Sequence, residues 1–260
     1  MTHRLPTRPG RTRHFDGAHQ QGLWNGAPDA KGEPVSERLD PDGLFAESVA
    51  AIDVELDLAE NRPGQAARQR AKEERAAHPA KSFFARLLLV HTDERAWRLG
   101  ADGEEAVGRV LQRLVTTRRS GWRVIHSIRV GTRGSDIDHL VVGPGGVFTL
   151  NTKHHPGARI WVRGDTLLVN GARQPYVRNS RHEAERASRL LTAACGFPVG
   201  VTGVVVTVNA SDVVVKQAPV GVHVVNRRRL ARWLRARSHV LDADSIDRIY
   251  DAARRPATWS

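Results

Sequence analysis

The chain has 260 residues, 40% of them hydrophobic and 26% charged, which suits one domain with a flanking segment or two small domains. No apolar run approaches the roughly 20 residues of a membrane-spanning helix, and the first residues lack the apolar stretch of a secretory signal. The single cysteine, Cys195, excludes a disulfide framework within one chain and a cysteine-based zinc cluster. We therefore expect a cytoplasmic protein with no membrane partner.

The charge is distributed unevenly along the chain. Residues 1–80 contain 11 Lys and Arg against 13 Asp and Glu, a net charge of −2, whereas residues 81–260 contain 29 against 15, a net charge of +14. A polyanion such as nucleic acid is the natural partner of so basic a region. An arginine-rich proteome would give the same charge without any ligand, so the charge alone leaves both interpretations open.

The first third of the chain differs in composition from the rest. Residues 1–40 are rich in Pro, Gly, Arg and His, have few periodic apolar residues, and are predicted to be disordered. Residues 41–96 are predicted to form a helical arm or linker. Within it, residues 43–60 show helical apolar spacing, residues 63–78 have helix propensity but little to bury, and Ser82 is a candidate cap for a further short helix.

Residues 97–255 are predicted to form the main domain. Asp102 and Glu105 have the spacing of a capping box and predict a helix that begins there, and Ser180 and Glu183 predict a second helix that runs to about Cys195. Two further helices are predicted over residues 227–237 and 242–254. Alternating or continuous apolar runs predict seven strands, over residues 122–130, 137–142, 147–153, 159–162, 166–169, 201–208 and 222–225. This order favours a mixed α/β fold around one sheet.

Polar residues cluster on two of these strands. Asp136 and Asp138 lie two residues apart on one strand, and Asn151 and Lys153 lie two apart on the next, beyond a Gly-Pro-Gly-Gly turn. Because side chains alternate along a strand and the turn makes the strands antiparallel neighbours, these groups are expected to converge. Oxygen ligands suit Mg²⁺ or Mn²⁺, and a lysine beside them can neutralise charge on a phosphate. The competing interpretation is a strand end at which Lys153 only pairs with an aspartate.

Three histidines adjoin these residues. Alternation places His155 on the same face as Lys153. His155 could contact a phosphate there, or it could occupy a turn position without a functional role. His139 is expected to face away from Asp138 and to make a structural hydrogen bond. His154 is expected to point to the opposite face from Lys153.

Several segments together resemble a known family. They are GADGEEAVGRVLQRL at residues 100–114, DIDHLVVGPGGVF at residues 136–148, Thr152-Lys153, Gly157, Asn170-Gly171 and Asn179. They are similar to the nuclease-related domain, NERD, which belongs by similarity to the PD-(D/E)XK nuclease superfamily. The resemblance covers roughly residues 97–210. It implies a restriction-endonuclease-like mixed sheet flanked by helices, preceded here by the disordered and helical arm.

The resemblance also implies roles for individual residues. Glu104 matches the helix carboxylate, Asp138 the metal-binding aspartate, and Lys153 the lysine of the strand motif. The glutamate of that motif falls at position 151, where this chain has Asn151, so the site lacks one negative charge. Candidate compensating acids are Asp136, which would join Asp138 and Glu104 as a metal ligand, and Glu183, where the family more often has glutamine.

The expected function follows from these matched residues. The resemblance implies a Mg²⁺- or Mn²⁺-dependent nuclease that acts on nucleic acid, in the first place DNA, without a small-molecule cofactor. A catalytically degenerate nucleic-acid-binding or regulatory module is one alternative, and a protein-interaction scaffold that acts through the N-terminal helical arm is another. The oligomeric state is left open. The arginines expected to contact phosphates, or alternatively to form a solvated surface, are Arg159, Arg178, Arg181, Arg227, Arg228 and Arg229.

Overall fold

A computed structural model of the chain describes residues 57–77, 93–117, 121–131 and 135–260. The helices are α1 Gln65–Ala77, α2 Asp93–Thr116, α3 Tyr176–Cys195, α4 Leu230–Arg235 and α5 Ala243–Ala253. The strands are β1 Arg123–Val130, β2 Ser135–Gly143, β3 Gly146–His154, β4 Arg159–Arg163, β5 Thr166–Val169, β6 Ala172–Gln174, β7 Val201–Val208, β8 Asp212–Gln217 and β9 Val222–Asn226. The predictions for residues 1–40, for most of 43–60 and for a helix after Ser82 lie outside the described residues.

The strands form two sheets. The larger has the order β1-β2-β3-β7-β9, with the β1–β2 and β2–β3 pairs antiparallel and with β7 parallel to both β3 and β9. The smaller has the order β6-β5-β4-β8, with only the β4–β8 pair parallel. This arrangement confirms a mixed α/β fold with a mixed sheet. The prediction of a single sheet is wrong. The second sheet was missed because its short strands β6 and β8 were not predicted.

Helices cover both faces of the larger sheet. On one face, the α2 stripe of Val107, Leu111 and Leu114 is fully buried against strand residues such as Leu150 and Val206. On the other face, α3 and α5 pack on β1 and β2 through a cluster that includes Leu191, Ile249, Ile125 and Leu140. A third cluster joins β4 and β5 to α3 and β7. Alternate residues of the central strands therefore pack against the helices on opposite faces of the sheet.

Two helices begin earlier than their capping boxes predict. Helix α2 begins at Asp93, so Asp102 lies inside the helix and pairs with Arg68 at 3.2 Å. Helix α3 begins at Tyr176, so Ser180 lies inside it. Ser180 packs closely against β7, since a Cβ added to Gly203 would lie 2.7 Å from the Ser180 carbonyl oxygen. The predicted starts are wrong because the helical backbone extends upstream of each polar residue, so Asp102 and Ser180 lie inside their helices and not at an N-cap.

Helix α1 packs against α2. Ala66, Ala67 and Ala71 are buried, so the prediction that this segment has little to bury is also wrong. The approach is close, since a Cβ added to Gly108 of α2 would lie 2.5 Å from the Pro63 ring. Among the described helices, none combines the length and the apolar character needed to cross a membrane.

Candidate active site

The site lies where β2 and β3 separate. Their antiparallel pairing runs from the Gly143–Gly146 end of the hairpin to His139 opposite Leu150. At the next position, the Asp138 carboxylate accepts a hydrogen bond from the Thr152 backbone N–H at 2.6 Å. A side chain thus takes a strand N–H that would otherwise belong to a backbone ladder. This contact brings a carboxylate between the two strands.

Asp138 is a half-buried acid of the site. Its burial raises the pKa of its carboxyl, Lys153 and the hydrogen bond from Thr152 lower that pKa, and Asp136 raises it. The neighbouring charges show that both Lys153 and Asp136 lie close enough to act on Asp138. The two strands therefore bring the acid and the ammonium to one place.

Glu104 reaches the same place from α2. Burial and then the charge of Asp138 raise the pKa of Glu104 to about 9, while a hydrogen bond from the Gly64 backbone and the charge of Lys153 lower it. The contact with Gly64 comes from the segment that precedes α1. The helix carboxyl, Asp138 and Lys153 consequently form one electrostatically coupled group.

Asn151 faces a carboxyl from another element. Its Nδ2 donates a hydrogen bond to Glu183 Oε2 at 3.0 Å, across from β3 to α3. Burial and then the charge of Asp138 raise the pKa of Glu183 to about 8, and Asn151 and Lys153 lower it. Glu183 lies inside α3 and contacts the site, so its side chain does not cap that helix. A carboxyl therefore stands beside the position at which this chain has an amide.

Asp136 lies at the edge of the group and has a separate partner. Its Oδ2 pairs with Arg70 of α1 at 2.8 Å. Burial raises the pKa of Asp136, and Arg70 and Arg129 lower it. Its other oxygen is buried without a hydrogen-bond partner. The arginine from α1 thus neutralises the acid that the sequence offered as one compensating ligand.

Lys153 lies over an aromatic ring. Its Nζ is 5.0 Å from the centroid of the Tyr176 ring, and the Tyr176 hydroxyl lies 3.1 Å from Nε2 of His155. Tyr176 and Glu183 are separated by seven residues, about two turns of α3, so they share one helix face. Sequence reasoning missed Tyr176, although this spacing from Glu183 was a usable signal.

The other histidines have structural partners. His154 points toward α2, with Nδ1 2.8 Å from the Leu99 carbonyl oxygen and Nε2 2.9 Å from Asn209 Nδ2. His139 is fully buried, and its Nδ1 lies 2.8 Å from Nδ1 of His126. Burial lowers the pKa of both rings of this pair. These contacts are the structural hydrogen bonds expected of residues that face away from the acids.

The predicted phosphate-binding arginines differ in their surroundings. Arg181 makes two hydrogen bonds to Asp165, at 2.8 and 2.6 Å, and one to the Val220 carbonyl oxygen at 2.9 Å. Its guanidinium is therefore already engaged by protein groups. Arg227 is half-buried, and the exposed members of the set are Arg159, Arg178, Arg228 and Arg229.

One family model matches the part of the chain that contains this site. Residues 99–208 match the model of the nuclease-related domain. Over these residues the chain is similar to the nuclease-related domain. Comparison with curated proteins and with solved structures gives no match. The NERD segment runs from α2 to the end of β7 and contains Glu104, Asp138, Asn151, Lys153 and Glu183, whereas α1 and Arg70 precede it.

The NERD site has oxygen atoms suited to a hard cation. In the described ranges, no three side chains of His, Cys, Asp or Glu are grouped as a ready metal site. Two oxygens beside Asp138 are nevertheless buried without a hydrogen-bond partner, namely Oδ1 of Asn151 and Oε1 of Glu183. Mg²⁺ typically takes one or two protein carboxylates and fills its remaining positions with water and substrate phosphate. The donor set therefore fits a partly hydrated Mg²⁺ or Mn²⁺ ion.

Proposed function

We propose that this protein is a metal-dependent phosphodiester hydrolase that acts on DNA. The observation that carries the proposal is the contact between Asn151 and Glu183 in a group that also contains Asp138, Glu104 and Lys153. It supplies a carboxyl where the motif glutamate is missing. The NERD domain supports a nuclease-related function in the broad sense, and the acid–lysine group supports hydrolysis.

The residues that would hold the cation directly are Asp138 and Glu183, with Asn151 Oδ1 as a neutral oxygen donor, and Glu104 would act on it through bound water. When bound, a divalent cation lowers the pKa of a water molecule and draws charge from the phosphate oxygens. Asp136 is paired with Arg70 and is a less suitable ligand. The raised pKa values of Glu104 and Glu183 mean that cation binding displaces their protons.

The protein groups have distinct tasks in this proposal. The Lys153 ammonium neutralises charge on the scissile phosphate and orients the attacking water by hydrogen bonding. Asp138 is held in one orientation by the hydrogen bond that its Oδ2 accepts from the Thr152 backbone N–H. The amide of Asn151 holds Glu183 in place through its Nδ2. Together these contacts preorganise the site before substrate arrives.

DNA is the proposed substrate because of the charge of the chain. Residues 81–260 carry a net charge of +14, which favours binding to phosphates in a sequence-independent, salt-dependent manner. Exposed arginines such as Arg178 on α3, two residues from Tyr176, would contribute phosphate contacts. Arg181 would contribute only if it left Asp165.

The test is a cleavage assay with plasmid and single-stranded DNA in Mg²⁺, Mn²⁺ or EDTA. We expect cleavage that requires the cation and that Lys153→Ala reduces by at least about a hundredfold. Lys216→Ala is the matched control, since Lys216 is an exposed lysine on β8. Cleavage that survives Lys153→Ala would refute the site.

A second candidate function is favoured by Asn151 itself. An amide at this position leaves the strand without its charge, which is compatible with a fold that binds nucleic acid but no longer cleaves it. In that case the protein would retain salt-dependent DNA binding and show no cleavage with any divalent cation. The same assay, combined with a DNA-binding titration, separates the two functions.

A further inference from the structure

We propose that Tyr176 is a positioning residue for Lys153 and that His155 holds the Tyr176 ring in place. The inference rests on the proposed function, in which the Lys153 ammonium acts on the phosphate. It concerns two residues outside the acid–lysine motif.

The ring holds the ammonium without occupying its hydrogen-bond donors. Lys153 Nζ lies 5.0 Å from the Tyr176 centroid, a distance at which the ring face attracts a cation. Lys153 forms no ion pair with any residue in the described part of the chain. Its charge nevertheless lowers the pKa of Asp138 and Glu183. The three N–H donors of the ammonium thus stay available for water and phosphate oxygens.

The ring is itself fixed by a neighbour that directly follows β3. The His155 and Tyr176 rings lie nearly parallel, at 22°, with centroids 5.7 Å apart. Nε2 of His155 lies 3.1 Å from the Tyr176 hydroxyl, and both side chains are partly buried. A ring held by stacking and by a hydrogen bond cannot swing away from Lys153 without losing both contacts.

The two elements that form this arrangement also build the acid group. Lys153 and His155 are two residues apart, so they share one side of the chain at the end of β3. Tyr176 and Glu183 share one face of α3. One helix face therefore delivers the ring to Lys153 and the carboxyl to Asn151. A shift of α3 along β3 would disturb both together.

The first test measures the chemical reactivity of the Lys153 ammonium and needs no activity assay. The chain has five lysines, so the rate of Lys153 acetylation by acetic anhydride can be followed by peptide mass spectrometry over a series of pH values. We expect Tyr176→Leu to change the rate at Lys153 by about fivefold or more, because the cation–ring contact is lost. Tyr250→Leu is the matched control, since it removes a similar ring contact, with Arg254, on α5, and it should leave Lys153 unchanged.

The second test measures steady-state cleavage of DNA with Mg²⁺. Tyr176→Leu should lower kcat about tenfold with less than about twofold change in KM. Tyr176→Phe and His155→Ala should each lower kcat about two- to threefold. The double variant should be no worse than His155→Ala alone, because that substitution already removes the hydrogen bond together with the stacking. Additive losses would contradict the role of His155.

Wild-type labelling and wild-type kcat in Tyr176→Leu would overturn the inference. If that variant does not fold, Tyr176→Met removes the ring with a flexible side chain and is judged by the same two measurements. If the wild-type protein cleaves no DNA, the proposed function fails, and the acetylation comparison still decides whether the ring positions Lys153.

Discussion

A single hydrogen bond between Asn151 and Glu183 joins two positions that the sequence separates by 32 residues. The amide on β3 and the carboxyl on α3 lie 3.0 Å apart, and both leave one buried oxygen without a partner. In the proposed site, the carboxyl therefore comes from the helix instead of the strand. Because the two side chains touch, substitutions at these positions should not be additive.

We predict that Glu183→Gln lowers both Mg²⁺ affinity and cleavage by about tenfold or more, because it removes the charge while keeping the shape. The double variant Asn151→Glu, Glu183→Gln should recover a large part of the loss, since it returns the carboxyl to the strand. Asn151→Glu alone should bring no gain, because it places two buried acids side by side. Calorimetric Mg²⁺ titration and initial cleavage rates measure these effects. Unchanged Mg²⁺ affinity in Glu183→Gln would exclude Glu183 as a ligand.

The residues of the site were predictable to different degrees. Glu104, Asp138 and Lys153 follow from the motif, and the structure places them within electrostatic reach of one another. The role of Glu183 could not be decided from sequence, because its spacing from Ser180 fits a capping box equally well. Tyr176 was missed because its spacing from Glu183 indicates a shared helix face but does not reveal a contact with Lys153 on another element.

At the scale of elements, the packing of α1 on α2 places residues from outside the NERD segment against the site. The Gly64 backbone contacts Glu104, and Arg70 pairs with Asp136. Gly108 allows this approach, since a side chain there would meet the Pro63 ring. Position 108 is therefore expected to tolerate no side chain, unlike Gly100 in the same helix, where a Cβ would meet nothing within 4 Å.

We predict that Gly108→Ala destabilises the protein by about 1–3 kcal/mol, because Pro63 must shift and α1 loosens. Gly100→Ala should instead stabilise it by about 0.5–1 kcal/mol, through the higher helix propensity of alanine. Chemical denaturation of the two variants gives the free energies of unfolding. Equal effects of the same sign would show that helix propensity, and not contact with Pro63, governs both positions.

A second prediction concerns the ion pair between α1 and β2. Arg70→Ala should cost about 1–3 kcal/mol of stability, because the largely buried Asp136 loses its partner. Arg68→Ala is the comparison, since Arg68 pairs with Asp102 and Glu105 nearer the solvent, and it should cost less than about 1 kcal/mol. The midpoints of thermal unfolding would distinguish them. A smaller loss for Arg70→Ala than for Arg68→Ala would contradict the prediction.

The elements themselves were largely predictable where the pattern is strong. The continuous apolar run Val201–Val208 predicts a buried strand, and the Gly-Pro-Gly-Gly turn predicts the β2–β3 hairpin, and both are confirmed. The helix starts were wrong because a capping-box spacing also occurs inside a helix, where Asp102 and Ser180 lie. Strand β8 was missed because most of its residues are exposed and its partner, β4, is distant in sequence.

At the scale of the whole molecule, burying several acids makes stability depend on pH. The pKa of Glu104 is raised to about 9 and that of Glu183 to about 8, from an ordinary value of 4.5. The folded protein therefore holds these protons more tightly than the unfolded chain does. The associated stability is complete below pH 4.5 and is lost as the pH rises to about 9.

We predict that, in EDTA, the Tm falls by several degrees between pH 7 and 9, a range above the titration of the buried histidines His126 and His139. Glu183→Gln should flatten this fall, since glutamine has no proton to lose. Differential scanning calorimetry across the pH series makes the comparison. An identical pH dependence in wild type and variant would show that Glu183 is not held in its neutral form.

The limits of the NERD match have a practical consequence. The match ends at Val208, yet the last strand before that point is bordered by β9, and core residues such as Leu230 and Ile249 come later still. A fragment trimmed to residues 99–208 would leave a naked sheet edge open to pairing between chains. It would also discard Gly64 and Arg70. If such a fragment aggregated or were inactive, the cause would be the lost packing and not the absence of catalytic residues. Activity should therefore be assayed on the longer chain.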